Sequence, residues 1–462
     1  MTKIRSALSD ATLYPYWLDN ASAPAPEPQL IGRTQADLVI VGGGFTGLWA
    51  AVIAKQADPG RDIMVIEAGR IGHGASGRPG GIVSTSVMHG LVNASRIFPN
   101  DMPVLEALGH ENLDGWKRTL VENKADVDLE WGGELTVAVE KAQVPRLQRE
   151  FELHKLYGHD AVLLDREQVQ AQVASPLFSA GVWSLGKSGT VHPAKLAWEL
   201  KRIAKGLGVR MHELTPMTGV EDLGDRLAII THDGRIVAHR ALFATNAWGA
   251  GHAHIKRRIV GVRDRVLATE PLTAEQLARL GWRNRQGVYD TRLQLNYMRL
   301  TSDNRIVFGG RVGYFYNDDV DPAADRQITT YERLAASFFK TFPQLDDVRF
   351  SHAWSGPIDL SKRMAVHFQR YYGGKGIWVG GYSGFGVTAT RFGARVGLDI
   401  LYGADKPELR LEFASTLPGY IPPEPFRWIG AKLTMYALDE ADTKGGWRRL
   451  WINLVHQLGF PL

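Results

Sequence analysis

Residues 41–47 have the sequence Val-Gly-Gly-Gly-Phe-Thr-Gly and separate an apolar, strand-like segment from a helix-like one. The first and third glycines permit a tight turn and let backbone approach a pyrophosphate, and the last lets a helix pack on a strand. The helix N-terminus then offers unpaired N–H groups to an anion. The stretch therefore predicts a dinucleotide-binding turn.

The flanking segments support this prediction. Residues 36–41 have the apolar run of a buried parallel strand, residues 48–56 continue as a helix, and residues 62–67 form a second strand that ends in Glu67. An acid at this position would hold a ribose hydroxyl. The uncharged run 38–54 also suggests a transmembrane helix, but three consecutive glycines, a short span and a β-branched start argue against that alternative.

Bulk properties narrow the function classes. The chain has 462 residues, enough for two domains, and a formal charge of +5 without a basic run, so we expect no nucleic-acid partner. The absence of cysteine excludes disulfides, thiolate metal sites, cysteine nucleophiles and a cofactor attached through cysteine sulfur. No cluster of His, Asp and Glu has metal-ligand spacing, so we predict no metal. The N-terminal residues lack a signal-peptide pattern, which predicts a cytoplasmic protein.

Hydrophobic periodicity places further elements along the chain. Some segments alternate apolar and polar residues, as half-buried antiparallel strands do. These segments indicate a separate substrate-domain sheet. These strands are predicted at 260–269, 294–300 and 305–309. Other strands are predicted at 129–139, 209–214, 226–231, 235–245 and 376–381. Helices are predicted at 105–121, 144–157, 194–207, 331–342 and 388–401.

Six segments together resemble the D-amino-acid-oxidase-like superfamily of FAD-dependent oxidoreductases, particularly its γ-glutamylputrescine oxidase branch. The segments are 42–48, Glu67, 74–81, 189–193, 244–248 and 380–386. The likeness covers nearly the whole chain. It implies an α/β fold in which a Rossmann-like FAD-binding domain is combined with a second, antiparallel-sheet substrate domain, both discontinuous in sequence. An NAD-dependent enzyme is the alternative that the 74–81 loop disfavours.

The resemblance divides the chain into four parts. An N-terminal arm covers 1–35, and a helical tail covers 406–462. The FAD-binding domain is assigned to 36–100, 175–255 and 350–405, and the substrate domain to 101–174 and 256–349.

The loop at 74–81 is similar to the family loop that lies along the flavin ring, where small residues let backbone approach a flat tricycle. This chain departs from the family at Pro79, where asparagine is common and where proline supplies no N–H donor. Relatives that attach flavin through histidine carry it where Arg78 stands. The resemblance therefore implies FAD bound non-covalently.

The glycine-rich turn at 381–387 joins a strand to a helix and directs N–H groups and the positive end of the helix dipole toward a negative ligand. In the resembled family that ligand is the reduced, anionic flavin. The implied cofactor contacts are Gly42, Gly44, Phe45, Thr46, Gly47, Glu67, Ala68, Ser76, Gly77, Arg78, Gly80, Gly81, Met217, Thr245, Trp248, Gly381, Tyr382, Ser383, Gly384, Phe385, Gly386 and Val387.

The resemblance also implies oxidation of a small-molecule amine: hydride passes to flavin N5, the imine hydrolyses, and oxygen reoxidises the flavin to give peroxide. Arg299, in the strand that also carries Tyr297, is a candidate partner for a substrate carboxylate or a structural arginine. Trp354 and Tyr382 are candidate pocket walls, and Trp354 is alternatively a core residue. His352 is a candidate proton relay or a structural histidine.

The tail beyond 426 alternates tryptophans with arginines and lysines, a basic amphipathic pattern found in interfacial helices and also in tails that pack on their own core. Two alternatives to a soluble oxidase follow: a membrane-peripheral dehydrogenase that reduces a quinone or another carrier, and a flavin-binding protein without turnover. The motifs do not distinguish a polyamine conjugate, an N-methyl amine and an amino acid as substrate.

Overall fold

The computed structural model describes residues 3–251 and 253–460. Its strands are β1 (Gly32–Val41), β2 (Ile63–Ile66), β3 (Ile82–Val83), β4 (Glu134–Ala138), β5 (Ala161–Leu164), β6 (Ala180–Ser184), β7 (Gly189–Thr190), β8 (Arg210–His212), β9 (Met217–Asp222), β10 (Leu227–Thr231), β11 (Gly234–Phe243), β12 (Ile259–Thr269), β13 (Gly287–Asp290), β14 (Asn296–Leu300), β15 (Ile306–Tyr314), β16 (Phe350–Ser361), β17 (His367–Tyr371) and β18 (Gly376–Gly380).

Its α-helices are α1 (Lys3–Leu8), α2 (Phe45–Ala57), α3 (Leu91–Ile97), α4 (Met102–Glu122), α5 (Val144–Leu156), α6 (Arg166–Gln172), α7 (Pro193–Gly206), α8 (Ala253–Lys256), α9 (Ala274–Leu280), α10 (Glu332–Thr341), α11 (Ala389–Leu401), α12 (Glu412–Ser415), α13 (Phe426–Lys444) and α14 (Trp447–Gln457).

The first sheet has the predicted Rossmann-like order. Strands run β17-β18-β11-β1-β2-β8, and β1 pairs in parallel with both β2 and β11. The buried apolar run that ends β1 faces helices on one side, where α2 packs between α7 and α11. Because 38–41 lies in β1 and 45–57 in α2, the transmembrane alternative for this segment is wrong. Parallel strands covered on both faces have such continuous apolar runs.

The second sheet is the predicted antiparallel one, with strand order β16-β12-β15-β14-β13-β4-β6-β5. Every neighbouring pair is antiparallel except β13 and β4. Its register aligns one row of residues across six strands, and side chains in such a row share a face. The row, from β16 to β4, is Trp354, Val266, Gly309, Tyr297, Tyr289 and Thr136.

The opposite face of this sheet is covered by an apolar cluster that includes Phe338 of α10 and Leu8 of α1. That packing fixes which side of the sheet remains available for a ligand. Side chains of β4 alternate between the two faces of the sheet: Leu135 and Val137 are buried in the cluster, and Glu134 and Thr136 lie on the other face.

Two strands lie in a different sheet from the one that the sequence assigned. Strand β6 lies within 175–255 and β16 begins at the start of 350–405, ranges predicted for the FAD-binding domain, but both pair in the second sheet. A strand's own pattern does not specify its pairing partner. The domain boundaries as a whole stay a prediction. In the arm, Trp17 is buried and Thr12 bridges to β16.

The tail helices α13 and α14 form a hairpin that packs on the second sheet. Arg427 is buried in an ion pair with Asp318, and Gln294 Nε2 donates to the carbonyl of Met435 at 3.5 Å. Leu438 and Ile452 close a small apolar cluster against Leu293. The tail therefore packs on the body of the protein. Among the described residues, no helix combines the length and apolarity needed to cross a membrane.

Candidate active site

One cavity of about 1620 Å³ is lined by both sheets. The carboxyl ends of β1 and β2 contribute Val41 and Ile66, and the second sheet contributes Tyr297 and Tyr289. Ligands of open α/β sheets bind beyond the carboxyl ends of the parallel strands, which is the position of this cavity.

The turn between β1 and α2 forms one wall, and its glycines are required by contact. Gly42 has a φ of +112°, and a Cβ there would lie 2.5 Å from the carbonyl oxygen of Ala244. A Cβ on Gly47 would lie 1.9 Å from the carbonyl oxygen of Gly42, and one on Gly44 would lie 3.0 Å from Ser76 Oγ. The glycines are therefore needed for close packing of the turn, and Gly42 and Gly44 also line the cavity, where backbone N–H groups could meet a pyrophosphate.

Glu67, at the end of β2, also lines the cavity. Its carboxylate accepts hydrogen bonds from the backbone N–H groups of Gly43, at 2.7 Å, and Gly69, at 2.8 Å. Burial raises the pKa of Glu67, and the two amides oppose that rise. Each carboxylate oxygen has a second acceptor position, so Glu67 can still bind a ribose hydroxyl.

The 74–81 loop is held against the second sheet by Arg78 and Trp354. Arg78 donates from Nε to the carbonyl of His73 at 2.9 Å and from Nη1 to that of Ser355 at 2.8 Å. Trp354 Nε1 donates to the carbonyl of Arg78 at 3.0 Å. A Cβ on Gly80 would lie 2.9 Å from the Tyr297 ring, so the loop lies directly on the aromatic wall.

The 381–387 turn is held by Asp359 of β16. The N–H of Gly381 donates to Asp359 Oδ2 at 2.6 Å, and the N–H of Ser383 donates to its carbonyl at 3.2 Å. Gly381, Ser383 and Gly384 all have positive φ angles. Burial raises the pKa of Asp359 to about 7, against the opposing effect of the amides. The turn leads toward the N-terminus of α11, as the sequence predicted.

One cavity is thus lined by the 42–47 turn, by Glu67 at the end of a strand and by two glycine-rich segments. The model of the family of FAD dependent oxidoreductases matches residues 37–397. This chain belongs to that family. Gamma-glutamylputrescine oxidoreductase of Escherichia coli is 30% identical over 88% of this chain and 92% of its own length. A probable oxidoreductase, OrdL, of Haemophilus influenzae is 28% identical over 85% and 88%.

A solved structure shows the same fold. The crystal structure of L-proline dehydrogenase from P. horikoshii superimposes with a TM-score of 0.67 at 19% identity, covering 84% of this chain and 97% of its own. The cofactor of this family is FAD. The cavity fits it, because a volume of about 1620 Å³ is lined by the glycine-rich 42–47 turn, by Glu67 and by the 74–81 and 381–387 segments.

Most residues predicted to contact the cofactor do line the cavity. They are Gly42, Gly44, Phe45, Thr46, Glu67, Ala68, Ser76, Arg78, Gly80, Gly81, Met217, Thr245, Trp248, Tyr382, Ser383, Gly384, Phe385, Gly386 and Val387. Gly47, Gly77 and Gly381 lie behind this lining: a Cβ on Gly77 would meet the carbonyl of Gly72, and one on Gly381 would meet His367. Their contacts with the cofactor stay predictions.

Arg299 does not lie where a substrate carboxylate could reach it, which corrects the substrate-binding hypothesis. The side chain is 1% exposed, and its guanidinium donates to the carbonyls of Val191, at 2.6 Å, and Leu300, at 2.9 Å. It packs beside Gly81 and over the Trp17 ring, outside the cavity lining. Arg299 therefore packs against the 74–81 loop at Gly81, on the side away from the cavity.

Trp354 and His352 are also outside the cavity lining, so neither acts as pocket wall or proton relay in this arrangement. Trp354 lies in an apolar cluster with Trp17 and Leu18 of the arm, which cover it. His352 contacts Ser351 Oγ at 2.9 Å and Asp19 Oδ2 at 3.1 Å near the arm, and burial lowers its pKa. Both residues have the structural roles that the sequence left open.

Tyr382 and Tyr297 do line the cavity. Thr46 Oγ1 donates to the hydroxyl of Tyr382 at 3.1 Å, and this hydrogen bond connects the 381–387 turn to α2. The hydroxyl of Tyr297 donates to Asp264 Oδ2 at 2.7 Å, and its ring crosses β15 at Gly309, where a Cβ would lie 2.1 Å away. Burial raises the pKa of Asp264 to about 6, while the Tyr297 hydrogen bond opposes the rise.

Sequence reasoning missed five residues that line the cavity or hold its turns. They are Asp264, Asp359, Tyr289, Glu134 and Glu150. For Asp264 and Glu134 the available signal was a carboxylate inside a predicted strand, because burial of a carboxylate within an apolar strand needs a reason. No local motif marks them.

A cluster outside the cavity bears on the prediction of no metal. Glu106, His110 and His159 approach closely enough to share an ion, with His159 Nε2 2.6 Å from Glu106 Oε2. Lys187 Nζ lies 3.1 Å from His110 Nδ1, and its ammonium opposes a cation there. The prediction of no metal stays a prediction.

Proposed function

We propose that this protein oxidises an amine with non-covalent FAD and uses oxygen as the electron acceptor. The observation that carries the proposal is the cavity wall at the 74–81 loop, where the Tyr297 hydroxyl donates to the buried carboxylate of Asp264 and Tyr289 lies beside Tyr297 on the next strand. Aromatic faces attract ammonium groups, and a buried carboxylate can accept the proton of one. The name of the Escherichia coli relative, an oxidoreductase of an amine, supports the same chemistry.

Bound FAD would accept a hydride at N5 from the carbon beside a neutral amine and pass the electrons to oxygen, which yields peroxide. The substrate leaves as an imine, which water hydrolyses. The protein's part is positioning: the 74–81 loop and the 381–387 turn hold the cofactor, and the Tyr297 ring lies against that loop at Gly80.

Asp264 is our candidate for the group that removes the ammonium proton. Tyr297 holds its carboxylate in one orientation, and above a pH of about 6 the carboxylate is ionised and able to accept a proton. Arg78 supports non-covalent attachment, because its guanidinium is committed to the carbonyls of His73 and Ser355. A flavin that remained with acid-precipitated protein would contradict this point.

The test is aerobic turnover with a panel of amines, amino acids and N-methyl amines, following oxygen consumption and peroxide together. We expect stoichiometric peroxide and a rate that rises between pH 6 and 9, because the reacting nitrogen must be neutral. Oxygen consumption without peroxide, or a flat or falling pH profile, would contradict the proposed reaction.

A second candidate function, a membrane-peripheral amine dehydrogenase, is favoured by the outer face of the tail hairpin. Trp447, Leu450, Leu454 and Leu458 lie three or four residues apart, so they share one face, and Leu450 is 71% exposed. Tyr436 of α13 stacks on Trp447 with ring centroids 6.2 Å apart, which extends the face across both helices. Arg448 and Arg449 flank it, as suits an anionic lipid surface.

Flotation with anionic and neutral vesicles separates the two candidates. A dehydrogenase of this kind would float with anionic vesicles, lose that binding in Leu450→Glu, and reduce a quinone faster than oxygen. Leu156→Glu, at an equally exposed leucine of α5, is the matched control. If the protein does not float with either type of vesicle, the oxidase remains the proposed function. The cytoplasmic location stays a prediction.

A further inference from the structure

Glu134 and Glu150 form a carboxylate pair at the β4 end of the cavity wall. Both line the cavity together with Thr136, whose Oγ1 donates to Glu150 Oε1 at 3.1 Å. Glu134 Oε2 is buried and has no hydrogen-bond partner in the part of the chain that the structure describes. A buried carboxylate oxygen without a partner is costly, and a ligand that donates to it would offset that cost.

The register of the second sheet relates Thr136, which bonds Glu150, to Tyr297, which contacts the 74–81 loop. Tyr297, which contacts that loop, is opposite Tyr289, and Tyr289 is opposite Thr136. Two strand spacings separate Tyr297 from Thr136, about 10 Å. Tyr289 stacks on Phe385 of the 381–387 turn with ring centroids 6.0 Å apart. The rings of Tyr297, Tyr289 and Phe385 therefore line the cavity between the 74–81 loop and the two carboxylates.

Two neighbouring carboxylates without an ion-paired partner favour a cationic ligand. No described basic side chain forms an ion pair with either carboxylate. Burial raises the pKa of both groups, and the neighbouring Glu150 helps to raise that of Glu134 to about 8. An incoming cation would relieve this repulsion and ionise both carboxylates. Arg146 and Arg149 of α5 also line the cavity, and Arg146 lowers the pKa of Glu150 in part.

We propose that Glu134 and Glu150 bind a second ammonium group of the substrate, about 10 Å from the reacting end. The substrate is then an extended diamine or polyamine-like molecule, and the aromatic path holds its methylene chain. This inference rests on the proposed amine oxidation for the identity of the reacting end. The alternative is that Arg146 and Arg149 bind a distal carboxylate, as in an ω-amino acid.

Three ligands with eight carbon atoms each but different second ends distinguish these alternatives: octane-1,8-diamine, octylamine and 8-aminooctanoic acid. Their dissociation constants for the FAD-loaded protein are measured by calorimetry, and anaerobic flavin reduction is followed separately. We expect the diamine to bind at least about tenfold more tightly than octylamine, consistent with a buried charge pair. We expect Glu134→Gln and Glu150→Gln to bring the ratio of the octylamine and diamine dissociation constants close to one.

Glu152→Gln, an exposed glutamate on the same helix, is the matched control and should bind like the wild type. Equal affinity for diamine and monoamine, a diamine advantage that survives in both variants, or tightest binding of the amino acid would overturn the subsite. Failure of every amine to reduce the flavin would overturn the proposed reaction instead. The calorimetric comparison still decides the subsite in that case.

Discussion

The two walls of the cavity are built in different ways. On the cofactor side, short contiguous segments present backbone, and glycines such as Gly42 and Gly44 keep side chains out of the way. On the other side, single side chains such as Asp264 and Glu134 come from strands that only the sheet register brings together. The first wall suits a ligand common to a whole family. The second is where specificity for a particular amine can vary.

The largest expected effect comes from breaking the backbone wall. Gly42→Ala places a Cβ 2.5 Å from the Ala244 carbonyl at a φ of +112°, so the turn must move. We expect the purified variant to lack FAD, as judged by its visible absorbance. Gly206→Ala, where a Cβ meets nothing within 4 Å, is the control and should retain full flavin content. Normal FAD content in Gly42→Ala would mean that the turn does not hold the cofactor.

An intermediate effect should come from the side-chain wall. Asp264→Asn keeps the shape but cannot accept a proton, so we expect kcat/KM to fall about 100-fold, the range typical of general bases. Because the raised pKa of Asp264 is about 6, wild-type kcat/KM should rise as pH increases through that value. The variant should lose that rise and keep full FAD content. An Asn variant whose pH profile matched the wild type would remove Asp264 from the reaction.

The smallest expected effect tests a residue behind both walls. Arg299→Leu leaves the buried carbonyl of Val191 without its donor, at a cost of about 2 kcal/mol in the free energy of unfolding. We expect a lower melting temperature with KM unchanged for amines and for acidic substrates. The exposed Arg33→Leu is the control. A KM raised only for acidic substrates would restore Arg299 to the substrate side.

These differences explain how much the sequence could predict. The 41–47 turn, the end of β2 with Glu67, and the 381–387 turn are each contiguous in sequence, so their local geometry could be predicted and most of their residues line the cavity. Their contacts with the cofactor stay predictions. Arg299 illustrates the limit on the other wall: it shares a strand face with Tyr297, yet it lies two residues further along, where Val191 covers it. No local pattern contains that packing.

The same limit applies to Trp354 and Asp264. Both are on strands next to each other in the sheet, but Trp354 is covered by the arm residue Trp17, about three-quarters of the chain length away in sequence. Asp264 faces the cavity because Tyr297 reaches across β15 to bond it. Contacts this distant in sequence depend on sheet order and register, which alternation alone does not specify.

The central claim is that the aromatic and acidic wall presents an amine to bound FAD. Anaerobic mixing of the FAD-loaded protein with amines, while the flavin absorbance is recorded, tests it most directly. We predict full bleaching by at least one amine and a rate about 100-fold lower in Asp264→Asn. Flavin that stayed oxidised with every amine would contradict the claim, as would bleaching at an equal rate in wild type and variant.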